Sequence, residues 1–106
     1  TIKEAIKRAK AARPEFSIEV ELSNLKNIHQ ALESETKAIM LSRMMPSDVA
    51  KCVKLARPVG KKVYVESLGT ITLDTVRAFA ETGVDGISIG SVTHSVPALD
   101  IVMRLK

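Results

Sequence analysis

Four short apolar segments in this chain alternate with stretches whose apolar side chains recur at helical spacing, and that alternation restricts the fold more than any other feature. Phe16, Ile18, Val20 and Leu22 interleave with Ser17, Glu19 and Glu21, a period of two that predicts a strand with one polar face. Further strands are predicted at residues 38–41, 62–66 and 87–89. The helices between them are equally legible. Ile2, Ala5, Ile6 and Ala9 form a stripe that Pro14 stops, giving a first helix over residues 2–12. Ser23 or Asn24 caps a helix bearing Leu25, Ile28 and Leu32, and Pro46 suits the first turn of one carrying Val49, Cys52, Val53 and Ala56, which residues 57–60 end. Thr72 is expected to cap a helix with Leu73, Val76, Phe79 and Ala80 that closes at Gly83. In the tail, Leu99, Ile101, Met103 and Leu105 alternate like a strand, although Leu99, Val102 and Met103 would also serve a helix.

Strands separated by crossover helices imply right-handed βαβ units and a parallel sheet. A sheet covered by helices on both sides should have strands that are apolar throughout, and these are not. Glu19, Glu21, Ser42, Tyr64, Glu66, Ser88 and Gly90 are predicted to share one face, as the lumen-facing residues of a barrel would. Four or five strands cannot close a barrel. The expected architecture is therefore an α/β half-barrel of four parallel strands with a leading helix and a strand-like tail, in one domain over residues 1–106. The missing wall would come from a second copy, giving a homo-oligomer, or from a larger parent. A simply solvated polar face, on a flavodoxin-like open sheet, is the alternative. The lack of an initiating Met suggests a piece of something longer.

Composition excludes several function classes. No apolar run approaches the roughly 20 residues that cross a bilayer, and no secretory signal is visible at the start. A single cysteine rules out an internal disulfide and a thiolate cluster for zinc, which fits a cytoplasmic protein, and Cys52 falls on an apolar helix face as a core residue. The net charge of +4 derives in part from Lys3, Lys7, Arg8, Lys10 and Arg13 on the first helix. With Phe16, Tyr64 and Phe79 as the aromatics, there is no stacking platform for single-stranded nucleic acid, so these cations read as a solvated helix face.

Chemistry in such folds sits where strands end and helices begin. Two loops qualify: residues 66–72, containing Gly69 and Thr70, and residues 90–95, containing Gly90, Ser91 and His94. Glycine permits close backbone approach, and hydroxyls with free N–H groups can cradle an anion such as phosphate or a phosphosugar. An ordinary tight turn would also account for either glycine. Glu19 and Glu21 lie about 7 Å apart on one strand face, able to grip a cationic or hydroxylated ligand or to remain solvated. His29 and His94 do not share metal-ligand spacing, so no metal site is assigned.

Taken in order, residues 17–21 (SIEVE), 38–41 (AIML), 71–74 (ITLD), 79–85 (FAETGVD) and above all 87–100 (ISIGSVTHSVPALD) make the chain similar to the C-terminal part of quinolinate phosphoribosyltransferase, nicotinate-nucleotide pyrophosphorylase (carboxylating). The resemblance covers nearly the whole chain. It implies an α/β barrel that takes phosphoribosyl pyrophosphate and magnesium, works as a dimer in NAD biosynthesis, and sends its tail strand to a separate domain. The family's active-site glutamate corresponds to Glu21, and its phosphate-loop glycine and following histidine to Gly90 and His94. Other positions depart. An Asp-Asn pair used for ribose and metal contact becomes Ser42-Arg43, which removes a carboxylate, adds a cation and weakens the case for magnesium. Ser-Gly-Gly becomes Leu68-Gly69-Thr70, losing a phosphate-binding hydroxyl, and the cationic cluster for the quinolinate carboxylates would lie before Thr1. The isolated chain is expected to be inactive in phosphoribosyl transfer, or else to be an excised or reconstructed scaffold with at most weak phosphate binding.

Overall fold

A computed structural model describes residues 1–58, 60 and 62–106. Its order is α1 (Ile2–Ala12), β1 (Glu19–Leu22), a 3₁₀ turn (Leu25–Asn27), α2 (Ile28–Leu32), β2 (Ala38–Ser42), α3 (Pro46–Ala56), β3 (Tyr64–Gly69), α4 (Val76–Ala80), β4 (Gly86–Ile89) and α5 (Ser91–His94). The four strands form one parallel sheet in sequential order, β1-β2-β3-β4. Consecutive helices touch, α1 on α2, α2 on α3 and α3 on α4, as a single row.

Alternation of side chains and in-register pairing assign the two sheet faces. Val20, Ile39 and Val65 share one row and Leu22, Leu41, Ser67 and Ile87 the next, on the face that packs against Ile28, Leu32, Val49, Cys52, Val53 and Phe79. Ile39 and Leu41 are wholly buried there. Glu19, Ala38 and Tyr64 form a row on the opposite face, and Glu21, Met40, Glu66 and Gly86 the row above it. Glu19 and Glu21 are exposed, and Tyr64 retains 45% of its accessible surface. The sheet is thus a section of barrel wall, helices outside and polar residues inside. A flavodoxin-like sheet is not formed, because that fold reverses strand order and covers both faces.

Local chemistry accounts for the ends of the elements. Thr1 caps α1 by accepting the Glu4 N–H, and Pro46 occupies the first turn of α3. At the N-terminal end of the sheet, the buried Thr36 hydroxyl lies 3.0 Å from the Ile18 carbonyl and 2.9 Å from that of Ala38, tying β1 to β2. Asp85 does the same for β3 and β4: its carboxylate accepts the Val65 N–H at 2.8 Å and Arg57 at 3.1 Å, while Arg57 also donates to the Gly83 carbonyl at 2.7 Å. Burial alone would raise the Asp85 carboxyl, but the Val65 and Arg57 bonds and the charges of Arg57 and Lys62 hold it below the usual value of 3.8.

Several boundaries differ from expectation. β1 begins at Glu19, not Phe16, because its partner begins at Ala38; Phe16 is exposed. The fourth helix starts at Val76. Its N-cap is Thr75, not Thr72 as expected: Thr72 lies in the turn before the helix, where its carbonyl accepts the Val76 N–H at 2.8 Å and its own N–H donates to Thr75 Oγ1 at 2.9 Å, and Leu73 is 93% exposed. His94 lies in the single helical turn α5 rather than in a loop. The tail forms no strand: residues 95–106 carry no regular structure, and Leu99, Ile101, Met103 and Leu105 are exposed. Alternation makes a strand only where a neighbouring edge satisfies its N–H and C=O groups, and the tail has none beside it. Of residues 57–60, expected to end α3, Val59 lies outside the described residues. No described helix is long and apolar enough to cross a membrane.

Candidate functional site

The C-terminal ends of β2, β3 and β4 form a rim on which most of the predicted site residues converge. Ser42 pairs with Leu68, and Gly69 with Ile89, so that Arg43, Gly69-Thr70 and Gly90 follow one another across neighbouring strand ends. Adjacent strands are about 4.8 Å apart, which sets the Arg43-to-Gly90 span at roughly 10 Å. The Arg43 N–H donates to the Leu68 carbonyl at 2.8 Å and extends the β2–β3 pairing past Ser42. Gly69 has φ +155, and a Cβ there would come within 3.3 Å of the Arg43 Cα; glycine is what allows the two backbones to approach.

Gly90 and His94 form a second compact unit. The His94 N–H donates to the Gly90 carbonyl at 3.1 Å, and the imidazole folds back so that its Nε2 lies 3.2 Å from where a Gly90 Cβ would stand. His94 Nδ1 lies 2.6 Å from Ser95 Oγ, and Thr93 Oγ1 donates to the Gly90 carbonyl at 2.9 Å. The ring is held over the glycine, with Ser91 half-buried beside it and His94 itself exposed. A side chain at position 90 would press on the imidazole, which would have to give by a few tenths of an ångström.

Glu21 lies one layer below, on the open sheet face, in the same row as Glu66 but two strands away, roughly 10 Å across. Glu66 is tied to β4 by a short hydrogen bond from Ser88 Oγ, whereas no hydrogen bond or ion pair engages Glu21 among the described residues. The sequence pattern placed Glu66 and Ser88 on this face without pairing them; the signal was their common even-numbered register. Leu68 shares the face and sets its isobutyl group next to Ser88. Cys52 lies in the core on the other side, wholly buried, its thiol pushed up to about 11 by burial and by the charge of Asp48.

The donor set does not fit a magnesium ion. Mg²⁺ takes one or two carboxylates together with phosphate oxygens and water, yet the rim offers a serine and an arginine at 42–43, and the carboxylates of the open face, Glu21 and Glu66, stand two strands apart.

Comparison with known proteins sets this geometry in context. The profile of the quinolinate phosphoribosyl transferase C-terminal domain matches residues 1–104. The chain is 39% identical over 110 aligned residues to a probable nicotinate-nucleotide pyrophosphorylase (carboxylating) of Methanocaldococcus jannaschii, covering 98% of this chain and 38% of that protein. It is 34% identical to the rat nicotinate-nucleotide pyrophosphorylase (carboxylating), covering 97% of this chain and 34% of that protein. The solved nicotinate-nucleotide pyrophosphorylase of Francisella tularensis superposes with a TM-score of 0.83 at 34% identity, over 93% of this chain and 35% of that one. The chain spans little more than a third of the length of these relatives.

Proposed function

Since the chain belongs to the quinolinate phosphoribosyl transferase family through its C-terminal domain, we propose that it is a phosphate-binding section of that barrel which does not by itself transfer a phosphoribosyl group. The arrangement at the rim carries this reading: backbone and hydroxyl groups at Gly69-Thr70 and at Gly90-Ser91, with the His94 imidazole folded over Gly90, offer donors to an anion at adjacent strand ends. In the complete reaction a carboxylate would sit beneath the ribose, and we assign that role to Glu21, acting by hydrogen bonding or charge from the open face.

What is missing supports the reading that the chain does not turn over alone. Leu68 puts a hydrocarbon where a hydroxyl would grip phosphate, Ser42-Arg43 supplies no carboxylate, and no ion pair joins a cation to Glu21 among the described residues. The chain should therefore produce no nicotinate mononucleotide from quinolinate and phosphoribosyl pyrophosphate with magnesium; measurable conversion would overturn the reading. Titration with inorganic phosphate should shift the amides of Gly90 to His94.

The open sheet favours a second element of the proposal, that copies of the chain associate. β1 and β4 have no outer strand among the described residues, and the polar face with half-buried Met40 and Leu68 is uncovered. Sedimentation equilibrium should find a dimer or larger species; a strictly monomeric, folded chain would remove this element and leave phosphate binding untouched. A cytoplasmic setting suits the single thiol Cys52.

A further inference from the structure

Arg43 enters the family comparison as a loss, but its geometry points to a gain: we propose that Arg43 is itself an anion-binding residue, holding a phosphate monoester at the rim directly and without a divalent cation. This rests on the reading of the Gly69 and Gly90 loops as a phosphate site and names what completes it.

Arg43 is the one non-glycine residue with positive φ among the described residues, at 54°. L-residues avoid that region, and Asn or Gly would occupy it more readily. A strained backbone that the surroundings enforce is a mark of functional placement, and here it occurs at the sheet end where α/β barrels take their ligands. The enforcement is visible: the 2.8 Å bond to the Leu68 carbonyl pins the Arg43 N–H, and the missing Gly69 side chain makes room for its Cα. The side chain also leaves β2 in a defined direction. Its Cγ lies 3.8 Å from where a Gly69 Cβ would stand, so the stem runs along the rim toward β3 and the Gly90 turn.

The charge at its end is available. Arg43 is exposed, and the ion pairs among the described residues all lie elsewhere. A guanidinium reaching over Gly69 can present two parallel N–H groups to two oxygens of a phosphate, with the Thr70 hydroxyl and the Gly90 turn on its far side. Exchanging a carboxylate for a cation also inverts what the rim selects. A carboxylate attracts a metal-bound pyrophosphate, whereas a guanidinium prefers the bare dianion and repels Mg²⁺. The ligand class is therefore a phosphate monoester, of which a phosphorylated sugar is the simplest organic form.

The test is titration of the full chain with inorganic phosphate and with ribose 5-phosphate, followed by the amides of Arg43, Gly69, Thr70 and Gly90 to His94, once with chelator and once with Mg²⁺. Binding should survive the chelator, and Arg43→Ala should weaken it by about tenfold or more. Arg43→Lys should fall between, keeping charge but not the fork. Arg43→Asn separates backbone from charge: it should melt at a higher temperature than the parent and bind as poorly as Arg43→Ala. Unchanged affinity in Arg43→Ala, or parent affinity that requires Mg²⁺, would overturn the assignment while leaving the rim site standing if the Gly90 to His94 amides still move. No shift at any of these amides in the parent would remove both.

Discussion

The two faces of the sheet are built from the same four strands, yet they obey opposite rules. On the helix side, Ile39, Leu41 and Val65 are sealed beneath α2 and α3, and each additional apolar atom adds to stability. On the open side, Glu19, Glu21 and Tyr64 face solvent, so their identities answer to what the barrel interior must do rather than to packing. The difference teaches that folding information and chemical information are separated here by a single residue step along each strand. One face can therefore be altered in its polar residues without touching the packing of the other.

Substitutions that test this separation should differ by an order of magnitude in effect. Ile39→Ala, which empties a wholly buried site, should cost about 2–5 kcal/mol in urea-induced unfolding. A loss below that range would mean the helix layer packs loosely and the contrast is overdrawn.

Asp85→Ala comes next, at about 1–3 kcal/mol, because it leaves the Val65 N–H without its carboxylate acceptor and removes the ion-pair partner of Arg57. The sign of its pH dependence is fixed by the lowered carboxyl. The stabilisation is fully present above the unfolded Asp value and disappears as the pH falls through the lower folded one. The gap between parent and variant should shrink in acid-side urea titrations; a gap that widens would show that the bonds to Val65 and Arg57 are not what Asp85 contributes.

Ser67→Ala probes the one polar intrusion on the packed side. Ser67 Oγ is buried between Leu41 and Ile87 in its row and lacks a hydrogen-bond partner among the described residues. Removing it should raise stability by up to about 1 kcal/mol in thermal unfolding, and a loss instead would reveal an ordered water or ligand beneath the rim. The smallest effect belongs to Glu21→Gln, expected within about 0.5 kcal/mol of the parent by the same melts. A large destabilisation there would erase the distinction between the faces.

Much of this was legible because period-two and period-3.6 patterns do not overlap in these segments. The strands and the polar face follow from that periodicity, and the Gly69 and Gly90 turns from glycines that come just after strand segments. What escaped were features decided by neighbours rather than by local pattern. The 99–105 alternation satisfied the rule for a strand but had no edge to join, and Leu73 kept helical spacing although α4 begins only at Val76 and leaves it exposed. Asp85 within the FAETGVD segment gave no hint of its reach to Val65 and Arg57, contacts that cross 20 and 28 residues. Arg43 was readable as a changed residue, but its left-handed backbone was not, because only the closeness of Gly69 and Leu68 imposes it.

The sequential strand order has one more consequence. Each strand hydrogen-bonds only to those immediately before and after it in the chain, so no ladder spans an intervening strand. Assembly can proceed as a zipper, with every βα unit docking on a template already laid down, and loop closures stay short. A polypeptide wired in this way can be cut or lengthened between units without unthreading what remains, which makes it ready material for recombination.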